Sequence, residues 1–457
     1  MLGGGPAGAS AAKLLSEWGH AVRLITRTAA DARLAVSIPP SCHKLFDAIG
    51  ISDAIDRAGF VRTTGNTVWW GHAEPRVERF ADGARGWQVA TQVLEDVLLA
   101  EAARAGVAIE RRAIAEDDLV LRADRFVIDA TGRSGVLART MGGRVYGEGP
   151  RTVALAASWT RAGAWPVPDD THTLVESYAS GWAWSVPTGP GTRHIAVMVD
   201  PQRSGLARDV PARDVYLAEI AKTVAFRSLV GAARCADGPW GWDATGYRAD
   251  RYAGGGWLLA GDAGSFIDPL SSAGVKKALA SGWLAAVAVH TSLVSPGMRA
   301  HARAFFSQRE QDIERHHARM SRLFLAEVAP THPHAFWRDR SDPPDAPAGV
   351  DAAAVREAYE QLRAAPTVQL GPGEARIEPR ASIRGHEIVL ESHIVSRDES
   401  IRFVAGVDVV AVLDLGPRFS QVPDLFEAYC RAHGTVPLPD FLLALATAVA
   451  RGWLVAQ

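Results

Sequence analysis

The stretch GGGPAGASAAKLLSEWGHAVRLI, residues 3 to 25, sets the fold. Its glycines at 3, 5 and 8 have the spacing that lets a strand turn sharply into a helix while the backbone approaches a pyrophosphate. The helix then aims its free N–H groups and the positive end of its dipole at that anion. Ala9 to Trp18 are good helix formers, Gly19 supplies the stop, and AVRLI at 21 to 25 completes strand, helix, strand order. Two departures stand out. Only Met1 and Leu2 precede Gly3, so either the first strand is shortened or the chain continues upstream. At the end of the second strand, where an acid usually holds the ribose hydroxyls, Thr26 and Arg27 are the candidate contacts.

In a chain with 43 glycines this pattern alone could be an ordinary turn, so its context matters. RFVIDATG, 125 to 132, is an apolar run suited to a buried parallel strand. It closes on an acid, a small residue, Thr and Gly, which brings Asp129 and Gly132 close to a dinucleotide. In GGGWLLAGDAGSFIDPLSSAGVKKALASGWLAA, 254 to 286, a hydrophobic strand delivers Gly261 and Asp262 at its carboxyl end, the ligand-binding side of such sheets. Asp262 is placed to accept from a ribityl hydroxyl. After Asp268 and Pro269 a helix is expected from about Ala273, which would turn the amides of Gly274 and Val275 toward a flavin pyrimidine ring, where reduced flavin carries negative charge. Each acid read singly could be a helix cap or a turn residue. The order and spacing of all three segments point to one FAD site.

These motifs resemble those of the FAD-dependent monooxygenases of the para-hydroxybenzoate hydroxylase type, over about residues 1 to 300. GWAWSVP, 181 to 187, resembles the tryptophan-rich signature of the flavin-dependent halogenases, and SSAGV, 271 to 275, their segment before the flavin helix. Two tryptophans at spacing two also fit one face of a half-buried strand. The resemblance implies non-covalent FAD, reduced by NAD(P)H or by a partner flavin reductase. It also implies contact of Ser37 with the isoalloxazine, although the preceding Gly and Glu of relatives are here Ala35 and Val36.

Halogenases use a lysine that relays hypohalous acid. Aligning FVRTTGNTVWWGH, 60 to 72, with their pattern puts Trp69 in its place, and no lysine occurs between Lys44 and Lys222. The glutamate that tryptophan halogenases carry before Ser-x-Gly is Ser271 here. An indole has no basic nitrogen to hold the oxidant. The resemblance therefore implies hydroxylation of an aromatic ring through a flavin C4a-hydroperoxide, in a pocket that keeps water out. The chain also resembles halogenase-like flavoproteins that hydroxylate a tryptophan of a partner polypeptide during tryptophylquinone maturation, which implies that such a frame can serve oxygenation. Trp69, His72 and Trp184 become the candidate catalytic wall, with aromatic rings to stack on substrate and His72 as a base. Halogenation of an aromatic substrate, and a flavin-dependent reductase or non-catalytic FAD-binding protein, are the alternatives.

The fold class expected is α/β: a Rossmann-like parallel sheet binding FAD, an inserted antiparallel substrate-binding sheet, and a small α+β C-terminal domain. FAD-binding residues are expected at 1 to 150 and 240 to 300, and the substrate sheet at 60 to 90 and 150 to 240, including TVALAASW, GWAWSVP and HIAVMV. A helical extension should cover 300 to 337 and a Pro/Asp-rich linker 338 to 350. Beyond it, 351 to 457 read as a winged-helix-like module: a helix near 351 to 364, strands in IRGHEIVLESHIV and SIRFVAGVDVVAVLDL, then two helices.

At 457 residues and 47% hydrophobic the chain can bury more than one core. A net charge of −2 gives no reason to expect nucleic acid or an anionic membrane as partner. Cys42, Cys235 and Cys430 are too dispersed for a disulfide framework or a metal cluster, and His316, His317, His332 and His334 lack ligand partners at metal spacing. No membrane-length apolar run or leader pattern is read, so the cytoplasm is the expected location.

Overall fold

The computed structural model describes residues 1–27, 34–121, 126–147, 149–341, 352–364, 370–396 and 399–456. The chain divides into two compact units, Met1–Pro344 and Asp345–Gln457. Most of the expected linker, 342 to 350, lies outside the described residues.

In the first unit the nucleotide sheet is assembled from short parallel pieces. Strand Arg23–Thr26 pairs with Ala108–Arg111, and Val127–Asp129 pairs with Trp257–Leu259, both in parallel. Residues 1 to 3 run between these pairs: Leu2 N–H donates to Ile128 O at 2.9 Å and Gly3 N–H to Ile25 O at 2.8 Å. Leu2 thus holds the central position, bridging Asp129 on one side and Ile25 on the other. The helix Pro6–Glu17 follows at once, with Pro6 at its first turn, where a missing N–H leaves no hydrogen bond unmade. It packs its alanine face against the helix Gly274–Val294, where Gly282 lets the backbones meet: a Cβ there would lie 2.4 Å from Ala7 O. Gly274–Val294 is apolar and long enough to cross a membrane, yet 67% of its apolar window is buried inside the protein.

Inserted in this frame is a seven-stranded sheet. Its order is Arg234–Asp243, Val153–Thr160, Thr192–Val199, Gly181–Gly189, Thr173–Tyr178, Gly65–Trp69 and Arg76–Arg79. All neighbours are antiparallel except Gly65–Trp69 with Thr173–Tyr178, which is parallel. Because successive side chains point to opposite faces, each strand serves two cores. Leu155, Ala157, Ile195, Val197 and Val199 pack under the helices Ala212–Lys222 and Ala225–Val230. Ala154, Ala156, Trp182, Ala196 and Met198 face the other way, toward the nucleotide frame and the 30-residue helix Arg299–Val328.

The second unit has its own core around Leu362, Val412, Leu425, Tyr429, Phe441 and Leu445. A helix Ala352–Ala364 precedes a hairpin of Ile377–Arg384 and Glu387–Val395, and the helices Val422–His433 and Leu438–Ala450 lie near its end. One expectation fails here. VVAVLDL, read as strand, forms the helix Val409–Leu415. The Asp408 carboxylate accepts from the N–H groups of Val410 and Ala411, and this cap with burial of Val409 and Val412 outweighs the strand preference of β-branched residues.

Candidate functional site

At the carboxyl end of the nucleotide sheet a cavity of about 350 Å³ is lined by Gly3, Gly5, Thr26, Arg27, Glu95, Thr131, Gly132 and Asp262. The glycine turn is dictated by close approach. Gly3 has φ +94°, and a Cβ on Gly8 would stand 2.0 Å from Gly3 O. Gly8 therefore shapes the turn without lining the cavity. Thr26 takes a structural part as well, its hydroxyl accepting from Gly4 N–H at 3.2 Å. Glu95, on the helix Thr91–Arg104, adds the carboxylate that the strand end lacks, and burial raises its pKa. Only its position one turn into that helix could have signalled it.

Asp129 departs from the expectation of cofactor contact. It is fully buried, and its carboxylate accepts from the N–H groups of Thr131, Leu137 and Ala138 and from the Thr131 hydroxyl. With every lone-pair direction engaged by its own loop, it braces the Thr131–Gly132 turn and does not line the cavity. Gly261 is likewise a shaping residue. Its φ is +63°, and its N–H donates to Ser281 Oγ at 2.7 Å, docking the strand end on the helix Gly274–Val294.

A second cavity, of about 310 Å³, shares Pro6, Asp262 and Ala278 with the first. Ser37, Gly274 and Val275 border it, and Trp184, His194 and Trp242 form its aromatic side, with Met198 beside them. Asp262 thus stands at the junction. Its backbone carbonyl accepts from Tyr247 Oη at 2.6 Å, and its carboxylate lies 3.6 Å from the buried Lys277 Nζ. Ser37 Oγ accepts from Thr173 Oγ1 at 3.0 Å. Asp268 caps the turn at Leu270, and burial raises its pKa.

Trp69 and His72 do not reach this cavity. Trp69 packs with Trp159, Trp165 and Tyr178 on the opposite face of the sheet, while its neighbours Val68 and Trp70 share the core of Trp184. The cause is strand phase: a residue one place from a cavity-facing side chain points away. His72 is exposed beyond the strand end. Trp184 alone of the three proposed wall residues lines the cavity.

Among the described residues no lysine borders the second cavity. Lys276 Nζ donates to Ser41 Oγ, and Lys277 Nζ to the carbonyls of Gly261 and Ser265. The cation present is Arg133, whose guanidinium lies 4.0 Å from the Phe266 ring centre and 3.6 Å from Asp243. Arg133 sits inside the DATGRSG motif and was within reach of sequence reasoning. His194 required strand pairing: its register places it opposite Ser158 and Val186, on the face that carries Trp184.

The family described as FAD binding domain matches residues 1–282. Among curated proteins, the flavin-dependent halogenase armH3 of Armillaria mellea is 25% identical over 353 residues, covering 68% of this chain and 70% of that protein. The tryptophan 2-halogenase of Chondromyces crocatus is 25% identical over 337 residues, 67% of this chain and 64% of that protein. The chain thus spans about two thirds of the length of these relatives. Among solved structures, CmlS, a flavin-dependent halogenase, superposes with a TM-score of 0.77 at 20% identity, over 100% of this chain and 95% of that one. The peptidyl tryptophan dihydroxylase QhpG, essential for tryptophylquinone cofactor biogenesis, gives 0.70 at 23% identity, over 99% and 98%. The nucleotide cavity, its glycine cradle and the match over more than half the chain lead to one conclusion: the chain belongs to the FAD binding domain family, as a halogenase-like flavin-dependent oxidoreductase whose cofactor is FAD.

Proposed function

We propose that the protein is a flavin-dependent monooxygenase that hydroxylates an electron-rich aromatic ring. One observation carries the reading: an aromatic-walled cavity shares Asp262 with the nucleotide cavity and, among the described residues, has no lysine on its walls. FAD, when bound and reduced by NAD(P)H or a partner reductase, would supply an electrophilic oxygen derived from dioxygen. The chain's own residues hold and shield. Gly3, Gly5, Thr131 and Gly132 line the place for the pyrophosphate at the N-terminus of Pro6–Glu17, with Thr26, Arg27 and Glu95 toward the adenosine end. Asp262 is assigned to the ribityl chain, and Ser37, Gly274 and Val275 to the isoalloxazine. Trp184 and Trp242 orient a planar ring and exclude water.

The finer reading is a tryptophan in a partner polypeptide, supported by similarity to QhpG. Halogenation is the second reading, favoured by the curated relatives. Supplying FAD-loaded protein with reduced flavin, oxygen-18 gas, bromide and tryptophan-containing peptides separates them. One oxygen-18 atom in the product, independent of halide, supports hydroxylation; a bromide-dependent isotope doublet replaces it with halogenation.

A further inference from the structure

We propose that His194 recognises the polar hydrogen of the substrate ring, restricting the second cavity to aromatic compounds that carry a ring N–H or O–H, such as indoles and phenols. This rests on the reading of that cavity as the substrate site.

On Thr192–Val199, Ile195 and Val197 point behind the sheet and Ala196 and Met198 toward the cavity, so His194 shares the cavity side and borders it. Its ring is parallel to that of Trp240 within 7°, with centres 6.4 Å apart, and meets Trp184 edge-on at 6.4 Å. The side chain is 3% exposed, and Nε2 has no hydrogen-bond partner among the described residues. Leaving such a group unpaired carries a desolvation cost that a purely apolar wall would avoid. A ligand that fills this vacant pairing recovers it.

The kind of ligand follows from the protonation state. Burial pushes the His194 pKa down to about 4, so at neutral pH the imidazole is uncharged and has one nitrogen that accepts a hydrogen bond. Of the other polar groups around the cavity, Trp184 Nε1 and Arg133 Nη1 also lack a hydrogen-bond partner among the described residues, but both are donors and cannot accept a ring hydrogen; Asp268 accepts from Leu270 N–H and Asp243 from Thr245 N–H, and Asp262 is assigned to the ribityl chain. A ring N–H or O–H that donates to His194 gains electron density in the ring, which favours attack by an electrophilic oxygen. Recognition and activation then come from one contact.

The test is calorimetric titration of full-length, FAD-loaded protein with indole and with benzofuran, which has the same outline but no N–H. The wild type is expected to bind indole about tenfold more tightly, the worth of one hydrogen bond. His194→Phe should bring the two probes within about twofold, and His194→Gln should retain a preference. FAD content and melting temperature confirm that each variant is folded, and the Gln variant keeps the test available should the Phe variant not fold. Equal affinity of the wild type for both probes, no binding of either, or an indole preference that persists in His194→Phe overturns the proposal. A protein that takes up no FAD would remove the functional reading itself, whereas FAD-replete protein indifferent to the N–H removes only the role of His194.

Discussion

At the scale of single residues, steric contacts decide most. Gly8 has no room for a methyl group, because its Cβ would overlap Gly3 O. Gly8→Ala should therefore weaken FAD affinity at least about tenfold, equivalent to roughly 1.4 kcal/mol, read by titrating FAD into flavin-free protein. Trp69 and Trp184 make a paired prediction. Trp184→Ala should impair aromatic substrate binding with FAD retained, and Trp69→Phe should leave turnover within about twofold, since that side chain lies behind the sheet. Glu310 titrates near neutrality. It is fully buried, and burial pushes its pKa up to about 7 although Lys277 and a hydrogen bond from Ser281 draw it down. An acid with a raised folded pKa contributes stability that is present below its unfolded value and lost as pH rises through the folded one. Glu310→Gln should thus be more stable than wild type by about 2 kcal/mol at pH 8, a gap closing below about pH 5 in urea unfolding curves.

At the scale of elements, local rules made part of the architecture legible in sequence and concealed the rest. The glycine turn, the strand into Asp129 and the helix after Asp268 were readable because each depends on neighbours within a few residues. The wall of the second cavity was only half legible: GWAWSVP marked Trp184, but whether Trp69 or His194 faces the same space depends on pairing between strands distant in sequence. Asp129 was recognised as part of the site while its role was not, since backbone donors from eight and nine residues onward claim its carboxylate. VVAVLDL misled because β-branched composition outweighed a single capping aspartate in the reading. The cap can be tested: Asp408→Ala should destabilise the protein by about 1–2 kcal/mol with FAD content unchanged, measured by denaturant unfolding.

At the scale of the whole molecule, the cores of the two units are built from separate sets of residues: Ala358, Leu362, Val412, Phe441 and Leu454 belong to one, and the tryptophan-rich sheet and nucleotide frame supply the other. The residues bordering both cavities belong to Met1–Pro344. Each unit therefore has what an independent folding unit needs, a buried apolar core of its own. Residues 1 to 344 expressed alone should bind FAD with an unchanged visible spectrum, and residues 345 to 457 alone should unfold in one cooperative transition. Turnover then assigns the second unit. If it docks a polypeptide substrate, the truncated protein keeps activity on small aromatic compounds and loses it on the polypeptide. Equal loss on both would make the second unit a structural support for the first, and unchanged turnover on both would discard the docking role.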